Sequence, residues 1–142
     1  MLAMLVLDTD HLTALDRGSA AGMALQRRLE DASDEVATTI ISAEEQLRGW
    51  LAQLRRQRDT YDQIAVYQRL QRRIEFFAAW HVLPWDTGAA DFLHDLRRQG
   101  IRIGTMDLKI ASIVLAHNAT LLSGNLRDFQ QVPHLRAENW LS

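Results

Sequence analysis

The sequence predicts an α/β fold, a three-layer α/β/α sandwich with a mainly parallel central sheet. Short apolar runs at 5–7, 36–41, 82–83 and 119–123 alternate with longer segments whose apolar residues recur at helical spacing. Alternation of this kind joins neighbouring strands through crossover helices, so the strands run parallel and helices cover both faces. The chain has 142 residues, of which 47% are hydrophobic, and no linker or repeat divides it. We therefore predict a single domain over residues 1–142.

The first half of the chain carries two strand-to-helix junctions. The strand at 5–7 ends at Asp8-Thr9-Asp10, which predicts a polar turn that begins a helix. A helix is predicted at 20–30, and the β-branched run 36–41 predicts the second strand. Ser42 and Glu45 have the spacing of a capping box, which predicts a helix that begins at Ser42.

Helices dominate the middle of the chain. Leu47, Trp50, Leu51 and Leu54 predict one amphipathic helix, and a second long helix follows in a hairpin that carries Arg side chains outward. The apolar positions of that second helix are Ile64, Tyr67, Leu70, Ile74 and Phe77.

The last third of the chain continues the alternation. A helix at 87–98 ends before Gly100, and Thr105 is the predicted cap of a helix whose body, 108–116, is apolar nearly all round. A helix of that composition is buried on more than one side. The segment 136–138 is a candidate for the last strand.

Four carboxylates stand at these strand-to-helix junctions, where sites lie in open parallel sheets. They are Asp8, Glu45, Asp107 and Asp128. Each alone has an ordinary structural interpretation, as a helix cap, a capping-box partner, a complement to the helix dipole or a loop residue. Together they predict a convergence of negative charge that needs a compensating cation. Carboxylate oxygens suit Mg²⁺ or Mn²⁺.

The segments around these acids resemble the four motifs of PIN-domain ribonucleases, and in particular of VapC-type toxins of type II toxin–antitoxin systems. They follow in the family's order and spacing: 5–12 (LVLDTDHL), 39–49 (TIISAEEQLRG), 102–111 (RIGTMDLKIA) and 119–129 (ATLLSGNLRDF). The resemblance implies a PIN-like α/β/α fold and a Mg²⁺- or Mn²⁺-dependent endoribonuclease that hydrolyses RNA phosphodiester bonds. It also implies a cognate antitoxin as partner and a homodimer.

By the same resemblance, Asp8, Glu45, Asp107 and Asp128 are the catalytic, metal-binding acids. We expect Asp8 and Asp107 to be the principal ligands, with Glu45 and Asp128 completing the site or orienting the attacking water. Glu44 is adjacent to Glu45, and the four-residue step to Gly49 favours Glu45 as the residue that faces the site. The number of metal ions and the roles of Asp10, Ser123 and Asn125 stay open, and we assign no histidine to catalysis.

Charge and hydropathy restrict the partners. The net charge of −2 argues against a general nucleic-acid binder, but fifteen of the sixteen basic residues are Arg and many of them cluster. The Arg groups of the helical hairpin are candidates for guiding RNA or contacting a protein partner.

The chain has no cysteine, no apolar run long enough to span a bilayer and no basic region before its first apolar stretch. We expect a cytoplasmic protein without a membrane segment.

Two other function classes fit parts of the sequence. Asp8-Thr9-Asp10 is also similar to the start of the HAD-like phosphatase motif, in which Asp8 would be the nucleophile, but Leu12 stands where that motif has Thr or Val. A non-catalytic RNA-binding or signalling domain is the other alternative. A degenerate RNA binder is expected to have lost one of the acids, and a signalling domain to have a Lys after its last strands, whereas Lys109 lies in a predicted helix.

Overall fold

The structure is a computed structural model that describes residues 3–142. Its sheet contains β1 (Met4–Leu7), β2 (Glu35–Thr39), β3 (Val82–Leu83), β4 (Thr120–Leu122) and β5 (Arg136–Glu138). Its helices are α1 (Thr9–Arg17), α2 (Ala20–Ala32), α3 (Ile40–Arg56), α4 (Gln63–Ala78), α5 (Thr87–Arg98), α6 (Thr105–Ala116) and α7 (Leu126–Phe129). The predicted α/β/α fold is confirmed.

All strand pairs in the sheet are parallel, in the order β3-β2-β1-β4-β5. The chain builds outward from β1 in one direction through β2 and β3, then returns to place β4 and β5 on the other side. Leu7 pairs with Leu122, so β1 and β4 end side by side at the point where the strand order reverses. Ligands of open parallel sheets bind at such a switch point. The residues that follow β1 and β4 are therefore neighbours.

The sheet separates two apolar cores. Val6 and Leu121 contribute to a core formed mainly with α5 and α6, whereas Leu7 and Leu122 contribute to a core with α1, α2 and α4. Consecutive residues of a strand point to opposite faces, so each central strand supplies both cores. As predicted, α6 is buried on several sides, with six buried residues from Leu108 to Val114.

The first two helices cross at very close range. A Cβ atom on Gly22 would stand 1.9 Å from the carbonyl oxygen of Ala14, a backbone atom. Only glycine allows α1 and α2 to pack at this distance, because any side chain would push the two backbones apart.

The helical hairpin is confirmed as α3 and α4, but the predicted apolar face of α4 is only partly buried. Phe77 is buried, whereas Ile64, Tyr67 and Ile74 are 51, 53 and 53% exposed. The buried side of α4 instead includes Arg73, which is 9% exposed. The helical spacing of apolar residues correctly predicted that α4 is a helix. The prediction that these apolar residues all face the core was wrong.

Three predicted helix or strand boundaries were wrong. The second strand ends at Thr39 rather than 41, and Thr39 is the cap of α3, since its Oγ1 accepts from the Ser42 backbone NH at 3.1 Å. Ser42 therefore lies inside the helix, and the capping box does not form. Gly104, not Thr105, is the cap residue of α6.

No helix within residues 3–142 is both long enough and apolar enough to cross a membrane.

Candidate active site

Asp8 lies at the centre of the switch point between β1 and β4. It is 9% exposed, and it is the cap residue of α1, with its Oδ1 accepting from the Thr9 backbone NH at 2.7 Å. Its other oxygen, Oδ2, accepts from the Ser123 hydroxyl at 2.8 Å. Asp8 is thus a helix cap, as its ordinary structural interpretation predicts. Its second hydrogen bond also links it to the loop after β4.

The loop after β4 connects the other acids to Asp8. The Asn125 backbone NH donates to Ser123 Oγ at 3.0 Å. The Asn125 side-chain amide donates to Asp107 Oδ2 at 3.0 Å and to Asp128 Oδ2 at 3.1 Å. One three-residue turn therefore holds Asp8 through Ser123 and both remaining aspartates through Asn125.

Glu45 faces these aspartates, and Glu44 does not. Glu44 is exposed and forms an ion pair with Arg48 one helical turn later. Glu45 Oε1 is buried and has no hydrogen-bond partner within the described residues. Because a buried carboxylate oxygen without a partner carries a desolvation cost, this oxygen is available to a proton or a cation.

The pKa shifts of the acids show which carboxylates lie close enough to repel one another. Burial raises the pKa of Glu45, and the negative charges of Asp8 and Asp107 raise it further. Burial likewise raises the pKa of Asp107, with added repulsion from Asp8 and Asp128. Burial also raises the pKa of Asp8, against the opposing hydrogen bonds from Thr9 and Ser123. Each of the four predicted acids thus repels at least one of the other three. The structure therefore brings the four carboxylates into one region.

Asp10 has a different environment from the four acids. Its Oδ1 accepts from the His11 backbone NH and contacts His11 Nδ1, both at 2.7 Å, and its Oδ2 accepts from the Gly124 NH at 2.6 Å. Although burial opposes it, these hydrogen bonds hold the pKa of Asp10 below its usual value. Asp10 therefore shapes the turn after β4 from the α1 side.

His11 is a packing and anchoring residue that the sequence did not distinguish from the other histidines. It is fully buried, and its Nε2 accepts from the Trp140 backbone NH at 3.1 Å. Since Nε2 accepts, Nδ1 carries the proton and donates to Asp10. The pair ties the segment after β5 to the start of α1, and its only sequence signal is the position of His11 directly after Asp10.

The carboxylate oxygens of the four acids are suitable ligands for a hard divalent cation, although they do not form a preformed metal site within the described residues. Within residues 3–142, no three Asp, Glu, His or Cys side chains are arranged as a metal site. The Asn125 amide occupies one oxygen each of Asp107 and Asp128, and Glu45 Oε1 has no partner within the described part of the chain. Carboxylate oxygens and mutual repulsion are the features that Mg²⁺ or Mn²⁺ satisfies. The chemistry of the residues present therefore fits such an ion.

Curated relatives match parts of the chain. Ribonuclease VapC2 of Rickettsia felis is 46% identical over 46 residues, which cover 32% of this chain and 34% of that protein. The tRNA(fMet)-specific endonuclease VapC of Salmonella typhimurium is 32% identical over 69 residues, covering 46% and 52%. The matched segments thus span about a third to a half of these relatives' lengths.

Solved structures match nearly the whole chain. VapBC-1 from nontypeable Haemophilus influenzae aligns with a TM-score of 0.74 at 23% identity, over 98% of this chain and 99% of that one. DNA-bound VapBC from Salmonella typhimurium aligns with a TM-score of 0.73 at 23% identity, over 99% of each chain. At these identities the likeness shows the fold.

The family described as PIN domain matches residues 5–135, a segment that includes all four acids at the switch point. This chain belongs to the PIN domain family.

Proposed function

We propose that this protein is a divalent-metal-dependent endoribonuclease, and that it acts as the toxin of a toxin–antitoxin pair. The observation that carries the proposal is the buried Oε1 of Glu45, which has no hydrogen-bond partner among residues 3–142 and lies near the charges of Asp8 and Asp107 in a PIN-domain chain. Relatives named as ribonuclease and endonuclease support the reaction class. We also propose that residues 1–142 form a single nuclease domain.

Four carboxylates would hold the ion, namely Asp8, Glu45, Asp107 and Asp128. The chemistry supplied by a bound Mg²⁺ or Mn²⁺ is activation of water, positioning of a phosphodiester and neutralisation of the charge that develops on phosphoryl oxygens. Family membership and this acid set favour the nuclease over the phosphatase and the non-catalytic alternatives.

Each residue of the site has a role of its own. Glu45 is suited to complete the ligand set or to orient the attacking water, because its buried Oε1 has no hydrogen-bond partner among residues 3–142. Ser123 fixes the orientation of Asp8, and Asn125 does the same for Asp107 and Asp128 through its amide. Fixed carboxylates lose little freedom on binding, which favours a defined attack geometry.

The direct test is Asp8→Asn, which keeps the size of the side chain and removes its negative charge. RNA cleavage in Mg²⁺ or Mn²⁺ and growth inhibition on expression are expected to fall by orders of magnitude, while the circular dichroism spectrum stays that of the wild type. A folded Asp8→Asn protein with full activity would remove Asp8 from the site.

We further propose a cognate antitoxin and a second copy of the chain as protein partners. The support is the VapBC complexes among the structural neighbours and the exposed apolar side chains Ile64, Tyr67 and Ile74 of α4. Size-exclusion chromatography with light scattering tests the homodimer, and a mass of one chain at micromolar concentration contradicts it.

A further inference from the structure

The turn after β4 is attached to α1 at its middle residue. The Gly124 backbone NH donates to Asp10 Oδ2 at 2.6 Å. Gly124 stands between Ser123 and Asn125, the two residues whose side chains donate to three of the four acids. Because the peptide units on either side of Gly124 are planar and rigid, a hydrogen bond at this residue also restricts both of its neighbours. Asp10 therefore acts on the acids through the turn.

Glycine at position 124 makes room for the Asp10 carboxylate. A Cβ atom on Gly124 would stand 2.5 Å from Asp10 Oδ2, closer than two such atoms can approach. Gly124 is not one of the glycines with positive φ, so its backbone conformation is open to other residues. Space for Asp10, and not backbone freedom, is thus what glycine provides at this position.

Asp10 is itself held by the protein interior. Its Oδ1 accepts from the backbone NH and from Nδ1 of His11, both at 2.7 Å. The His11 side chain is fully buried, and its Nε2 accepts from the Trp140 backbone NH at 3.1 Å. The Trp140 ring packs in turn against Arg28, whose guanidinium lies 4.0 Å from the ring centre. Packing around His11 therefore fixes the position from which Asp10 reaches the turn.

The hydrogen bonds of Asp10 require two acceptor oxygens. Oδ1 receives both His11 donors, and Oδ2 receives the Gly124 NH. An amide of the same size has one acceptor oxygen, and its NH₂ group would face an N–H donor on the other side. Asp10 thus joins His11 to the turn in a way that asparagine cannot reproduce.

We propose that Asp10 and His11 are positioning residues of the divalent-cation site: they hold the turn at 123–125, and the turn holds the aspartates. The inference rests on the proposed metal-dependent function and deepens it, because it assigns a role in ion binding to two residues that need not touch the ion. Groups that orient the ligands of a metal typically change its affinity by roughly 10- to 100-fold when they are lost.

Gly124→Ala tests the close approach without removing a carboxylate. Mn²⁺ binding is measured on the full chain, without RNA, from the electron paramagnetic resonance signal of the free ion. The added methyl group displaces the Asp10 carboxylate, so the Kd for Mn²⁺ is expected to rise by roughly 10-fold or more. Gly88→Ala in α5 is the matched control, because its Cβ would make only ordinary contacts, at 3.5 Å from Asp86 Oδ1. Its Kd is expected to equal that of the wild type.

Two substitutions of His11 separate its side-chain hydrogen bonds. His11→Asn keeps an N–H donor near the position of Nδ1, whereas His11→Gln keeps an acceptor near the position of Nε2 for the Trp140 NH. Both variants are expected to melt at a lower temperature than the wild type, because His11 is fully buried. His11→Gln, which loses the donor to Asp10, is expected to raise the Kd for Mn²⁺ more than His11→Asn. A purely structural role of His11 would not produce this difference in ion affinity.

RNA cleavage provides a second readout. A high Mn²⁺ concentration is expected to restore cleavage by Gly124→Ala, because all four acids are present in that variant. The same concentration is not expected to restore cleavage by Asp8→Asn, which lacks one of them.

The outcomes separate the positioning role from the function on which it rests. Unchanged Mn²⁺ affinity in folded Gly124→Ala and His11→Gln overturns the positioning role and leaves the nuclease in place. Loss of affinity in Asp10→Ala, with affinity kept in those two variants, also overturns it and identifies Asp10 as a ligand. A wild type that neither binds Mn²⁺ nor cleaves RNA contradicts the proposed function and the positioning role together. If the His11 variants do not fold, the comparison of Gly124→Ala with Gly88→Ala decides, because both glycines are exposed.

Discussion

Asp107→Asn tests whether the convergence of acids destabilises the metal-free fold. The Asn125 amide donates to Asp107 Oδ2 at 3.0 Å and to Asp128 Oδ2 at 3.1 Å, so these two oxygens are at most about 6 Å apart. The substitution removes one of the two negative charges and keeps a carbonyl oxygen that can accept the Asn125 hydrogen bond. It therefore changes the electrostatics of the site with little change in shape.

The magnitude follows from that separation. Two unit charges 6 Å apart repel by about 0.7 kcal/mol in water and about 3 kcal/mol at an effective dielectric constant of 20. Both side chains are half-buried, so solvent screening reduces the repulsion and we expect a gain near 1 kcal/mol. For a chain of this length that gain raises Tm by roughly 3–5 °C.

The pH dependence has a definite sign. Burial, and then repulsion from Asp8 and Asp128, raises the pKa of Asp107 above its ordinary value of 3.8. The folded state therefore holds this proton more tightly than the unfolded state. The penalty is absent below the unfolded pKa, grows as pH rises toward the folded pKa, and is complete above it. The advantage of Asp107→Asn should thus be full at pH 7 and disappear near pH 3.

The assay is thermal unfolding in EDTA at several pH values, repeated with Mn²⁺. The wild type is expected to gain stability from Mn²⁺ by mass action, and Asp107→Asn to gain much less and not to cleave RNA. Asp91→Asn, an exposed acid on α5, is the control for loss of one negative charge and should behave like the wild type. An Asp107→Asn protein that melts at a lower temperature than the wild type in EDTA, and is still fully stabilised by Mn²⁺, would show that Asp107 stabilises the N-terminus of α6 and does not bind the ion.

Three other expectations can be checked independently. Glu45→Gln should abolish RNA cleavage and Glu44→Gln should be nearly silent, because Glu44 is exposed and paired with Arg48; the reverse result would shift the motif by one residue. Gly22→Ala should lower the free energy of unfolding in urea by about 1–3 kcal/mol, since its Cβ would meet the Ala14 carbonyl; unchanged stability would mean that α1 and α2 separate easily. Co-expression with a cognate antitoxin, sought as a small protein encoded beside this chain, should yield a stable complex without ribonuclease activity, and two folded proteins that fail to co-purify would refute the toxin–antitoxin assignment.

The fold was predictable because the patterns that specify it are local. Apolar runs of strand length, helical spacing and turn residues identified the five strands and the long helices, and parallel strands followed from their alternation. The error at the start of α3 lies where two local signals competed. Thr39 and Ser42 are both good cap residues, and in the structure the helix begins after Thr39, whose Oγ1 accepts from the Ser42 backbone NH.

The candidate site was predictable as a set of acids at strand ends, but not as a geometry. The sequence by itself determined that Asp8, Asp107 and Asp128 follow strands or begin helices, and that Glu45 lies near the start of the helix after β2, because strand and helix ends are marked in the chain. Only the tertiary structure decided that Asn125 links Asp107 to Asp128, that Asp10 shapes the turn after β4, and that Glu45 rather than Glu44 faces the aspartates. The physical reason is that hydrogen bonds, desolvation and repulsion depend on distances between residues from different parts of the chain, such as Asp8 and Ser123, which are 115 positions apart. Strand order sets those distances, and no local pattern encodes them.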